Sequence, residues 1–140
     1  MAPFLKATPS TMATGFDLTH YTEVCGFLDK SGHAAECAVI HDTKILCASL
    51  EARNTVLKRL ALIANEATKE EGTFSFWVLK NLDHDDQVRI FERYESWEAL
   101  EVHQKAPSLV NLWLVSKGEV KSLEQRAYAP NLKGWLNRYV

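Results

Sequence analysis

The sequence predicts an α+β plait in which two helices cover one face of a four-stranded antiparallel sheet. Three observations carry this prediction. A helical period runs from residue 54 to about 71, a second helix opens at Ser96 and breaks at Pro107, and short aromatic or β-branched runs flank both. From about residue 36 the element order is therefore β-α-β-β-α-β, a ferredoxin-like plait.

Residues 37–40 and 44–52 are short apolar-rich runs, and His41-Asp42-Thr43 between them reads as a turn. Asn54 is a good N-cap for the first helix. Val56, Leu57, Leu60, Ala61, Ile63, Ala64 and Ala67 form its apolar face, and Gly72 supplies a left-handed stop. Residues 73–80 read as a strand through Phe74, Phe76, Trp77 and Val78. The polar, Asp-rich residues 81–87 form a hairpin loop, in which His84 beside Asp83, Asp85 and Asp86 reads as a solvated turn rather than a metal site. Residues 88–95 make the next strand, with Val88, Ile90, Glu92 and Tyr94 on one face and Arg89, Phe91, Arg93 and Glu95 on the other. Ser96 caps the second helix, and Pro107 kinks or restarts it before Gly118. Residues 120–128 are the last strand. A sheet face carrying Phe91 needs cover, and the sheet of a second copy is the economical source.

With 140 residues, 46% of them apolar, the chain can build one core but not two. Its segments are an N-terminal extension over residues 1–34 with a short amphipathic stretch at 18–28, the plait at 35–129, and an aromatic tail at 130–140. A formal charge of −2 offers no electrostatic reason to bind nucleic acid or an anionic membrane. No apolar run approaches the roughly 20 residues of a membrane span. Pro3, Lys6 and Pro9 break up the opening residues, unlike a secretory signal; their Ser/Thr content and lack of acids give a faint echo of a transit peptide. Cys25, Cys37 and Cys47 lack C-x-x-C spacing, so reduced thiols in a cytoplasmic protein are expected. His20, His33 and His41 show no partner signal, and no phosphate-cradling loop, zinc motif or serine elbow is present.

Residues 91–103 carry a family resemblance. A strand ending in Glu92-Arg93-Tyr94, a helix start at Ser96 followed by Ala99-Leu100, then His103 and the break at Pro107, resembles the antibiotic-biosynthesis-monooxygenase (ABM) domains of the dimeric α+β barrel superfamily. Glu70-Glu71-Gly72 resembles the family's Glu-Pro-Gly step, with Glu71 where the family has proline. The likeness covers roughly residues 44–128. It implies a homodimer in which two sheets close a barrel, with a ligand pocket between each sheet and its own helices. The superfamily hosts cofactor-free oxygenases, haem degraders, isomerases and stress-response proteins, so the fold does not choose the reaction. The haem-degrading branch fits poorly: its ligand position falls on Trp113, and tryptophan cannot coordinate iron.

His103 borders the sheet-facing side of its helix and is the candidate base, since a neutral imidazole can take a phenolic proton near neutral pH. A half-buried structural histidine is the other reading. Trp113, Tyr94, Trp77, Phe76 and Phe74 are candidates for a flat aromatic pocket, with Cys47 and Ser49 as small polar contacts on one strand face. Core packing is the alternative for each. The resulting expectation is an enzyme of secondary metabolism without cofactor or metal, acting on an aromatic, polyketide-like substrate as an anthrone or phenol oxygenase. The same pocket suits an isomerase, cyclase, dehydratase or decarboxylase, and a non-catalytic ligand-binding barrel also stands.

Overall fold

The computed structural model of the chain describes residues 18–29 and 37–130. Its elements are β1 (Tyr21–Phe27), β2 (Val39–Cys47), α1 (Leu50–Ala67), β3 (Thr73–Asn81), β4 (Gln87–Tyr94), α2 (Trp97–Gln104), α3 (Pro107–Val115) and β5 (Val120–Tyr128). The strands form one antiparallel sheet in the order β1-β3-β4-β2-β5. From β2 onward this is the ferredoxin-like α+β plait read from the sequence. The amphipathic stretch at 18–28 is a strand, β1, which extends the sheet beside β3. The aromatic tail and His33 lie outside the described residues.

The expected turn at His41-Asp42-Thr43 does not exist, because β2 runs straight through it. Val39, His41, Thr43, Ile45 and Cys47 alternate into the helix-covered face, and polar side chains at His41 and Thr43 disguise the period. The first helix starts earlier than Asn54. Ser49, in extended backbone, accepts the Ala52 N–H at 3.1 Å and caps α1, while Asn54 lies inside the helix.

The apolar face of α1 buries Val56, Leu57, Leu60, Ile63, Ala64 and Ala67, each large aliphatic contributing about 1.5–3 kcal/mol of transfer free energy. Ala61, placed on that face by its spacing, is exposed. The helix ends at Ala67, and Gly72 is not a left-handed stop. What Gly72 provides is proximity: a Cβ there would lie 2.5 Å from the Cβ of Ala99, so its bare backbone lets α2 approach.

Ser96 accepts the Ala99 N–H at 3.1 Å and caps α2, and Pro107 opens α3 in its first turn, as the sequence indicates. Gly26 in β1 has φ +97°, and a Cβ there would sit 2.0 Å from the Phe76 carbonyl oxygen. That position seats β1 against β3, next to a bulge between Glu23 and Cys25.

The helix-free face of the sheet carries Ile40, Leu46, Trp77, Leu79 and Phe91, all half-buried, around an Asp42–Arg89 ion pair with an Nε–Oδ1 distance of 2.8 Å. Arg93 on this face is buried by the Ser75 hydroxyl at 2.7 Å and the Leu28 carbonyl at 3.2 Å. Beneath the helices the core has two apolar clusters. The larger includes Ile45, Leu60, Phe76, Val78, Ile90 and Leu112; the smaller is Val39, Tyr94 and Leu100. Among the described residues no helix is long and apolar enough to cross a membrane.

Candidate active site

Along β2 and β4, between these apolar clusters, the buried face carries His41 and Thr43 beside Glu92. Strand alternation forces all three inward, so their polar atoms must find partners in the core. They do. The Glu92 carboxylate, 4% exposed, accepts from His41 Nδ1 at 2.9 Å, from the Thr43 hydroxyl at 3.4 Å and from the Tyr94 hydroxyl. Burial pushes the Tyr94 phenol well above its ordinary range, and the Glu92 and Glu70 carboxylates add to the shift, so Tyr94 remains a donor.

His103 enters the same seam from α2 and is 2% exposed. Its Nδ1–H donates to Glu70 Oε1 at 2.7 Å, and Glu70 also accepts from the Thr73 hydroxyl at 2.8 Å. A carboxylate can only accept, so the proton is held on Nδ1, and in the neutral ring the lone pair is then on Nε2. That Nε2 has no hydrogen-bond partner among the described residues; the nearest acid, Glu92 Oε1, is 3.8 Å away. The rings of Phe76 and Tyr94 hold the imidazole in place, with centroids 5.3 and 5.5 Å from its own. A buried imidazole oriented by one carboxylate and bare at its other nitrogen is the geometry of a general base.

A cavity of about 210 Å³ opens on this group. His41 and Thr43 of β2, Phe76 of β3, Ile90 and Glu92 of β4, His103 and Gln104 of α2, Leu109 and Trp113 of α3, and Gln125 of β5 line it. His41, Gln104 and Gln125 form a neck shared with an outer groove of about 390 Å³, where Trp97, Leu100, Glu101 and Ala127 lie. Gln104 Nε2 is 3.5 Å from His41 Nε2 at that neck.

Of the residues singled out from the sequence, His103, Phe76 and Trp113 line the cavity. Tyr94 stands behind it, bonded to Glu92. The others lie elsewhere. Trp77 is on the opposite sheet face in register with Phe91, and Phe74 is buried core outside the lining. Ser49 caps α1, and Cys47 packs among core aliphatics, where burial and then Asp86 push its thiol up to about 11. Glu70, Glu92, His41, Gln104 and Gln125 were not singled out. For Glu92 a signal existed, since a carboxylate on the Val88, Ile90, Tyr94 face of a strand has to be partnered.

A sequence model described as antibiotic biosynthesis monooxygenase matches residues 48–111. Solved structures share the fold at low identity. A Deinococcus radiodurans protein whose name carries the same family term is 23% identical, with a TM-score of 0.64 over 70% of this chain and 97% of its own. Rv0793 from Mycobacterium tuberculosis is 22% identical, with a TM-score of 0.60 over 66% and 93%. A Lactobacillus acidophilus protein is 20% identical with a TM-score of 0.61, and this chain spans 45% of its length. At such identities the likeness speaks for the fold alone. Among curated proteins, none matches the chain. The family match over residues 48–111, set in a fold shared with these structures, makes this part of the chain similar to an ABM-type domain.

Proposed function

We propose that the protein is a cofactor-independent enzyme acting on a small aromatic, polyketide-like substrate as an anthrone or phenol oxygenase. The family match supports the coarser part of this reading, a monooxygenase-like or ligand-binding role. The observation that carries the finer part is His103, a lining residue of a cavity that also holds Phe76 and Trp113, with its Nδ1 held by Glu70 and its Nε2 without a hydrogen-bond partner among the described residues. His103 takes a proton from a carbon or oxygen acid conjugated to a carbonyl. The resulting electron-rich anion reduces dioxygen itself, so the electrons come from the substrate. Overall a CH₂ group and O₂ give C=O and H₂O.

The cavity volume bears on the substrate. About 210 Å³ is below the ~300–1,000 Å³ common for drug-sized ligands, and it suits one or two fused rings between Phe76 and Trp113. A third ring would extend through the neck at Gln104 and Gln125 onto Trp97.

A homodimer belongs to the same proposal. Trp77, Phe91 and Ile40 on the helix-free face favour cover by a second sheet, and Asp42 and Arg89 provide a polar centre for it. Light scattering should return twice the chain mass for the wild type and one chain mass for Trp77→Asp. A monomeric wild type would remove this part.

The reaction is tested by supplying anthrone with and without air, with no added metal or flavin. Oxygen uptake coupled to anthraquinone formation is the expected result. Isomerisation, dehydration or decarboxylation starts with the same proton transfer, so turnover of ketone substrates that persists anaerobically would replace oxygenase with one of these. Binding without any turnover would leave a ligand-binding barrel.

A further inference from the structure

We propose that His41 is a specificity-determining residue of the cavity, whose Nε2 accepts a hydrogen bond from a hydroxyl group on the aromatic ligand. The Gln104 amide fills that place when no such hydroxyl is bound. The ligand class is accordingly a phenol or enol, in preference to its ether or the bare hydrocarbon. This rests on the reading of the cavity as a site for a small aromatic ring, and it holds whether or not the bound ring reacts with dioxygen.

The strand register builds the position. On the helix-covered face, β2 sets His41 between Glu92 of β4 and Ala127 of β5. Glu92 takes the Nδ1–H of His41 at 2.9 Å and also accepts from the Tyr94 and Thr43 hydroxyls. A carboxylate used in this way holds the His41 proton on Nδ1, and in the neutral ring Nε2 is then an acceptor. On the other side, β5 sets no more than the methyl group of Ala127 opposite the ring. His41 lines both the inner cavity and the outer groove, so it stands at the passage between them.

The partner that this Nε2 has is a poor one. Gln104 Nε2 stands 3.5 Å away, at the outer limit of a hydrogen bond. The ring nitrogen can only accept, so the amide must turn its NH₂ toward it. Gln104 is an exposed residue at the end of α2, where its side chain can move into water at little cost. A phenolic hydroxyl is the stronger donor and displaces it.

The rest of the lining favours the same ligand. Glu92 and His103 add acceptors, and His103 Nε2 has no hydrogen-bond partner among the described residues. A ring that brings only carbon or an ether oxygen leaves such acceptors unpaired when it shuts out water, whereas a hydroxyl satisfies one of them. His41 lies outside residues 48–111, the part of the chain that the family model matches, while His103 and Gln104 lie inside it. The hydroxyl preference is therefore set by this chain's own β2 and not by the matched segment.

The test measures equilibrium binding of 2-naphthol and 2-methylnaphthalene at about pH 7.5, where an ordinary imidazole is mostly neutral. The two probes share one shape and differ in a hydroxyl against a methyl, and neither has to turn over. Wild type should bind the naphthol about 3–10-fold more tightly, the worth of one neutral hydrogen bond. His41→Phe should reverse the order, because without the acceptor the hydroxyl leaves water for nothing. Gln104→Leu should keep the preference for naphthol. Equal binding of the two probes by wild type, binding of neither, or a preference that survives in His41→Phe overturns the proposal. Loss of the preference in Gln104→Leu would hand recognition to the amide and overturn it as well. Should His41→Phe fail to fold, ¹⁵N-imidazole NMR of the wild type decides. The His41 proton is expected on Nδ1, with the Nε2 resonance shifted by naphthol and not by methylnaphthalene. A proton on Nε2 in the free protein, or one response to both probes, would contradict it. A preference for naphthol together with no oxygen uptake on anthrone would strike the oxygenase reading and leave this one standing.

Discussion

His103 Nδ1 and Glu70 Oε1 lie 2.7 Å apart, joining α2 to the turn that follows α1. This contact decides which nitrogen of the imidazole holds a hydrogen-bonded proton. Replacing Glu70 with Gln offers an amide that can present either its oxygen or its NH₂ to the ring, so the proton is no longer held on Nδ1. The expected outcome is a fall in kcat of about 10²-fold with KM little changed, since orientation of the base matters in the transition state more than in binding. Steady-state kinetics on the active aromatic substrate check this; a change confined to KM would mean Glu70 shapes binding instead.

Glu92 is also a structural keystone for its neighbours. In Glu92→Leu the Tyr94 hydroxyl and His41 Nδ1–H lose their acceptor inside the core. Unsatisfied buried groups cost about 1–3 kcal/mol each, so the urea midpoint should fall clearly. Glu92→Gln, which keeps one acceptor oxygen, should fall less. Equal midpoints for the two variants would show that the acceptor does not matter.

Tyr94 predicts an alkaline limb in stability. Its phenol is held above the ordinary value of 10.0, chiefly by burial. Below pH about 10 both folded and unfolded chains keep the proton, and the Tyr94 contribution is constant. Above that value the unfolded chain releases its proton while the folded chain retains it, so stability should drop by up to about 1.4 kcal/mol per pH unit. Urea titrations between pH 9 and 11 should show this slope in wild type and a shallower one in Tyr94→Phe. Parallel slopes would assign the loss to other groups.

Gly26 should not tolerate a side chain. With φ at +97° and the Phe76 carbonyl in the way, Gly26→Ala must shift β1 or lose its pairing. Backbone strain of this kind costs about 1–3 kcal/mol, and hydrogen exchange should quicken in β1 and along its partner edge of β3. Unaltered exchange would mean the edge strand adjusts at no cost.

These residues also show why the fold was more readable than the site. The period of α1, the Ser96 cap and the Pro107 restart are local signals, and they led to the plait. Strand β2 was missed as a single element because His41 and Thr43 interrupt its apolar alternation, and their partner Glu92 is 51 residues from His41 in the chain. The strand pairing between β2 and β4 is what joins them, and no local pattern encodes it. Ser49 caps α1 in place of Asn54 because the chain leaves β2 in extended backbone at that serine. Trp77 looked like a pocket residue by type alone, whereas the alternation of β3 turns it away from Phe76 and the cavity. His103 was visible through the family resemblance. Its meaning rests on Glu70, which lies across a helix end from it.

The central claim is that His103 is the base. Oxygen uptake with anthrone and equilibrium binding of anthraquinone should be measured side by side on wild type and His103→Gln. The account predicts uptake reduced by about 10²–10⁴-fold with affinity retained. Wild-type uptake by His103→Gln, with the same affinity, would contradict it.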